Sequence, residues 1–194
     1  MFALGYRTPP AWALAAGAAP LELLSDHAHN ELRAAASAQG LILRRPRLSR
    51  LVERLGALAA EELEHFRRVH RLLLSLGGSL GPPEASPYVD GLLRGRGQLL
   101  ERLLAAALIE ARSLERFELL AEHLPAPLGP LYAQLAPSER GHAHLFVQLA
   151  EELFPEAEVG AALEDTIARE AALVAALPFA PRMHSGAPRP EPMG

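Results

Sequence analysis

Two stretches of the chain carry the pattern Glu-x-x-His: Glu62 with His65, and Glu139 with His142. A spacing of three puts a carboxylate and an imidazole on one face of a helix, where both can reach the same ion. Each pair has a lone glutamate upstream, Glu31 and Glu110, at 31 and 29 residues before the paired glutamate. The two stretches also repeat one another. LAAEELEH (58–65) aligns with LAPSERGH (135–142) at an offset of 77, and Glu31-Leu32-Arg33 aligns with Glu110-Ala111-Arg112 at an offset of 79. A chain that twice writes a helix with one glutamate, then a helix with Glu-x-x-His, reads as two helical hairpins related by a pseudo-twofold. Four carboxylates offset the charge of two divalent cations and two neutral imidazoles complete the set. Such oxygen-rich ligation suits iron or manganese; zinc takes more nitrogen or sulfur. Buried without a metal, four carboxylates would repel one another and their pKa values would rise.

Neighbouring residues compete for parts of this site. Glu115 lies five residues after Glu110, about 140° around a helix. The repeat selects Glu110 and leaves Glu115 as a supporting residue or an alternative ligand. His27, four residues before Glu31, shares its face and has the same standing. His70, His123, His144 and His184 have no companion pattern and read as ordinary helix or core residues. The competing reading makes the glutamates members of a solvated face, paired with Arg67, Arg68 and Arg71. The uncharged run LLAAALI just before Glu110 argues against it, because a surface helix would show more charge there.

The elements that must position these residues are all helices. Leu and Ala carry the apolar content, aromatics are only 5% of 194 residues, and no β-branched alternation marks a strand. Helices are expected over 21–44, stopped by Pro46; 48–76, stopped by Gly77-Gly78; 98–124; 128–154; and 156–177. A connection rich in Gly and Pro runs from 77 to 87, with a short helical turn near 88–93. Pro137 falls inside the fourth long segment, where a kink or a broken start is expected. The fold class that follows is all-α: a ferritin-like four-helix bundle with one long crossover between its second and third helices and an additional C-terminal helix. Residues 1–177 are expected to form one domain, and the Pro-rich tail, 178–194, to be irregular or disordered.

Composition removes several classes of function. Without cysteine there are no disulfides, thiolate zinc sites, iron–sulfur clusters or Cys nucleophiles. No uncharged run reaches the roughly 18 residues of a membrane span. The apolar start is interrupted by Pro9 and Pro10, so it reads as a first turn packing Trp12 on the body of a cytoplasmic protein, not as a signal peptide.

The segments LLSDHAHNELRAAAS, EELEHFRRVH, IEARSLERFELLAEHL and SERGHAHLFVQLA, with Ala11-Trp12 near the start, resemble the tRNA 2-methylthio-N(6)-isopentenyladenosine hydroxylases. These are ferritin-like, non-haem di-iron monooxygenases, and the resemblance spans roughly residues 8–154. It departs where the family usually carries a cysteine and two lysines and this chain has Asn30, Leu32 and Arg33. The resemblance implies two iron ions on Glu31, Glu62, His65, Glu110, Glu139 and His142. It also implies O2 as co-substrate, two electrons from an external reductase or ferredoxin-type donor, and hydroxylation of the isopentenyl group next to the anticodon. Leu114, Phe117 and Phe146 could supply a hydrocarbon pocket or simply core. Two alternatives keep the bundle and lose the RNA: a di-iron oxidase or hydroxylase of a small molecule, and a non-enzymatic iron-binding or structural bundle.

A tRNA partner has some support from charge. All 19 basic residues are arginine, and net charge is −4, so any basic surface must be local. Residues 41–76 hold eight arginines against four acids. Among them Arg44, Arg45, Arg47, Arg50, Arg67, Arg68 and Arg71 are the candidate phosphate contacts.

Overall fold

The computed structural model describes residues 2–189, in seven α-helices. They are α1 (Pro10–Gly17), α2 (Pro20–Arg44), α3 (Ser49–Ser75), α4 (Pro87–Leu93), α5 (Leu99–His123), α6 (Leu128–Leu153) and α7 (Glu156–Ala176). Among the described residues there is no strand, only an isolated bridge between Phe179 and Gly186. The chain divides into two compact units, Ala19–Glu84 and, together, Met1–Ala18 with Ala85–Gly194.

The smaller unit is a helical hairpin, α2 and α3. Proline at the first turn starts α2, where its missing N–H costs nothing. Glycine ends α3: Gly77 takes φ +81°, and the Gly78 N–H bonds back to the Leu73 carbonyl. Both helices bury a stripe at helical spacing, Leu23/Leu24, Ala28, Ala35, Ala38 and Leu41 on α2, and Leu51, Leu55, Leu58, Val69 and Leu73 on α3. The chain after α3 then lies along α2. The Gly81 N–H donates to Ser25 Oγ at 3.1 Å, and the Gly81 carbonyl meets His29 Nε2 at 2.8 Å.

In the larger unit α5 is the central element, with buried residues on most of its circumference. Its first turn is fixed by Glu101, whose carboxylate accepts the Gln98 N–H at 3.1 Å. One ion network ties the unit together. Arg112, fully buried on α5, is held bidentately by Glu170 of α7 (2.8 Å twice), and the Tyr88 hydroxyl of α4 donates to the same carboxylate at 3.0 Å. Arg112 also donates to the Tyr6 carbonyl and to Thr8 Oγ1 in the N-terminal segment.

Two local features qualify the sequence reading. Pro137 lies inside α6 without breaking it, so the broken start is absent from the helix, which runs from Leu128 to Leu153. The tail is described as far as residue 189; its last five residues lie outside the described part of the chain. Within 178–189 there is no helix, yet Met183, His184 and Ser185 are buried. Arg116 of α5 holds them: its guanidinium donates to the Ser185 carbonyl at 2.6 Å and to the Met183 carbonyl, and lies 4.5 Å over the ring of Trp12. Burial and the nearby Arg112 push the Arg116 pKa down to about 10.

Candidate metal centre

Each unit contributes one triad of two carboxylates and an imidazole. In the smaller unit Glu31 occupies the buried stripe of α2, and Glu62 and His65 occupy that of α3. All three are at most 5% exposed, in positions that Leu or Ala fill one turn away. His65 Nδ1 is 3.7 Å from a Glu31 oxygen and 3.5 Å from a Glu62 oxygen. Burial works against the charge of Glu31. A hydrogen bond with Glu62 and the proximity of His27 and His65 outweigh it and hold Glu31 well below the usual carboxylate range, opposite to the rise expected of a metal-free carboxylate cluster, because imidazoles stand among the carboxylates. Burial likewise disfavours a charged His65, but the Glu31 and Glu62 carboxylates reverse the sign and raise it to about 10. The pocket therefore draws positive charge into a dry place, which is what a cation site must do.

The larger unit repeats the arrangement. Glu110 on α5 and Glu139 and His142 on α6 are all buried, with one ligand atom of each within 4.8 Å of the others. His142 Nδ1 stands 4.0 Å from a Glu139 oxygen. Two oxygen donors and one nitrogen in each triad fit iron or manganese.

The competing residues separate cleanly. Glu115 is turned to the N-terminal segment: it accepts the Thr8 N–H at 3.1 Å and the Thr8 hydroxyl at 2.7 Å, and pairs with Arg112. His27 does lie behind a ligand candidate, its Nε2 at 2.5 Å from Glu31. His184 is a buried residue stacked on Tyr88 at 4.7 Å and within 3.2 Å of Ser113 Oγ. Leu114, Phe117 and Phe146 are buried, and Phe117 packs on the ring of Tyr132. Sequence reasoning missed Arg112, Arg116 and Glu170. The one visible hint was two arginines, four apart, soon after the uncharged run LLAAALI.

The candidate RNA-binding arginines fall into two groups on the hairpin. Arg44, Arg45, Arg47 and Arg50 surround the α2–α3 turn and are exposed. Arg67, Arg68 and Arg71 lie toward the other end of α3, about 25–30 Å along the helix from Arg50. Arg67 and Arg71 are exposed, Arg68 is half-buried, and Arg67 pairs with Glu64 at 2.9 Å. No helix among the described residues is long and apolar enough to cross a membrane.

Comparison with known proteins agrees with this chemistry. A protein from Synechococcus described as having aldehyde deformylating oxygenase activity superposes with a TM-score of 0.91 at 38% identity, covering 96% of this chain and 98% of that one. The all-helical fold is accordingly the ferritin-like one. The tRNA 2-(methylsulfanyl)-N(6)-isopentenyladenosine(37) hydroxylase of Pseudomonas putida is 37% identical over 191 residues, 96% of this chain and 93% of its own length. The Salmonella typhimurium protein of the same name is 32% identical over 143 residues, which are 71% of this chain and 53% of that protein. The family model for tRNA-(MS[2]IO[6]A)-hydroxylase (MiaE) matches residues 2–185, and the chain belongs to that family.

Proposed function

We propose that this protein is an O2-dependent hydroxylase of a tRNA nucleoside, acting on the isopentenyl group of a 2-methylthio-N(6)-isopentenyladenosine next to the anticodon. Its site would be two iron ions held by Glu31, Glu62, His65, Glu110, Glu139 and His142. The observation that carries the reading is the same buried donor set, two glutamates and one histidine, in each half of a repeated chain whose relatives are named for this reaction. Bound iron would supply O2 activation, with two electrons from an external reductase or ferredoxin-type donor.

The residues of the chain do the rest. Four glutamates balance the metal charge, so that little net charge is buried. His27 at 2.5 Å fixes the orientation of Glu31. Leu114, Phe117 and Phe146, buried on the two helices that carry Glu110, Glu139 and His142, would help keep water from a site where a reactive oxidant would otherwise be quenched. A tRNA substrate implies a cytoplasmic enzyme.

The test is direct. tRNA carrying the prenylated nucleoside, incubated with iron-loaded protein, O2 and a reductant, is digested and its nucleosides are weighed by mass spectrometry. A gain of one oxygen on the prenyl group is expected, and its absence sinks the reading. Glu62→Ala and Glu139→Ala should each lower bound iron and abolish the gain. The 38% identical relative with aldehyde deformylating oxygenase activity supports a second reading, oxidation of a small apolar molecule. Turnover of a long-chain aldehyde with none of the tRNA would favour it.

A further inference from the structure

The larger unit contains a cleft of about 660 Å³ between its N-terminal segment and α5. Its floor is apolar, with Leu4 on one side and Leu114 and Leu119 on the other. Leu114 lies one helical turn beyond Glu110, and Arg140 on the rim directly follows Glu139. The cleft therefore adjoins the turns that carry two of the candidate metal ligands. Its wall is pinned in place: the N-terminal segment hangs on Glu115 through both the N–H and the hydroxyl of Thr8, and on Arg112 through the Tyr6 carbonyl.

Two cations, Arg7 and Arg140, line the cleft beside three carboxylates, Glu115, Glu118 and Glu122, of which Glu115 is taken up by Thr8 and Arg112. Arg140 pairs with Glu118 at 2.6 Å, but both side chains are more than half exposed, so the pair exchanges readily with a better anion. Arg7 is exposed and has no ion pair or side-chain hydrogen bond among the described residues. An apolar floor of this size fits a purine bearing a branched hydrocarbon chain. A small apolar molecule would fill the floor and make no use of either cation.

We infer that this cleft receives the modified nucleoside itself, its hydrocarbon and methylthio substituents against Leu4, Leu114 and Leu119, and its flanking phosphates on Arg7 and Arg140. The inference rests on the function proposed above and adds the place and mode of binding. Leu114, between the cleft and the turn of Glu110, would limit how far the substituent enters.

The test uses iron-loaded, full-length protein with two substrates: an anticodon stem–loop carrying the prenylated nucleoside, and the free nucleoside, which lacks flanking phosphates. Loss of a charge-assisted phosphate contact is worth roughly tenfold or more. Arg7→Glu should therefore raise KM for the stem–loop about tenfold, with a penalty at least fivefold smaller for the free nucleoside. It should also reduce the salt slope of stem–loop binding by about one. Leu114→Trp, filling the floor, should lower kcat/KM at least tenfold for both substrates with iron content retained. Equal penalties of Arg7→Glu on both substrates, or wild-type kinetics in both variants, would overturn the inference while leaving the hydroxylase reading intact. If Leu114→Trp does not fold, the surface variant Arg7→Glu decides alone. Failure of the unmodified protein to hydroxylate either substrate removes the functional reading, and this one with it.

Discussion

Glu110 and Glu115 share a helix and a charge but differ in burial and in partners. Glu110 is 6% exposed among carboxylate and imidazole donors, while Glu115 accepts two hydrogen bonds from Thr8 and an ion pair from Arg112. Glu110→Ala should halve bound iron or lower it further and abolish hydroxylation. Glu115→Ala should keep its iron and instead loosen residues 2–10, seen as faster hydrogen exchange there and a raised KM. Metal analysis of the two purified variants separates them, and equal iron loss in both would refute the assignment. The six candidate ligands stand out in the sequence because a repeat writes the same residue types twice, and the offset of 79 favours Glu110 over Glu115. Arg112 and Glu170 could not be paired in the same way. They are 58 residues apart, the repeat gives Arg112 a counterpart in Arg33 but gives Glu170 none, and only folding brings the guanidinium and carboxylate to 2.8 Å.

At the scale of elements, the long helices were legible because proline and glycine punctuate them. Pro20 opens α2, Gly77-Gly78 closes α3, and Pro155 separates α6 from α7. Pro137 does not break α6 because its cost is local: it lacks one N–H and crowds one turn, and a helix with eleven buried residues absorbs that. The segment after α7 was illegible for a different reason. It has no periodicity, and what orders residues 183–185 is a buried cation on another helix. Arg116 has carbonyl oxygens and an indole face as partners, so removing its charge leaves two carbonyls without their donor. Arg116→Gln should destabilise the protein by about 1.5–3 kcal/mol, the typical worth of hydrogen bonds made by a charged group. It should also expose the bond after Arg182 to trypsin. Urea unfolding with a time course of limited digestion checks both, and an unchanged cleavage rate would show that the segment is held by something else.

For the whole molecule, charge decides how a polyanion can be bound at all. Residues 19–84 carry nine arginines against eight acids, and the rest of the chain ten against fifteen. Two of the eight acids, Glu31 and Glu62, are buried and assigned to metal, so the hairpin offers RNA a more favourable balance than the count suggests. A chain of net charge −4 gains RNA affinity from a few local arginines, and such binding falls steeply with salt. The group at the α2–α3 turn is the one to test first, because Arg44, Arg45, Arg47 and Arg50 are all exposed and close together in the chain. Exchanging Arg45 and Arg47 together for Glu should weaken tRNA binding regardless of sequence and lower the slope of log affinity against log salt by about two. Filter binding between about 50 and 200 mM salt measures this. Arg67→Glu with Arg71→Glu, at the other end of α3, is the matched comparison. An equal loss in both would put RNA along the full length of the hairpin. A loss confined to Arg45 and Arg47 would fix it at the turn, and no loss in either would remove the hairpin from the RNA interface.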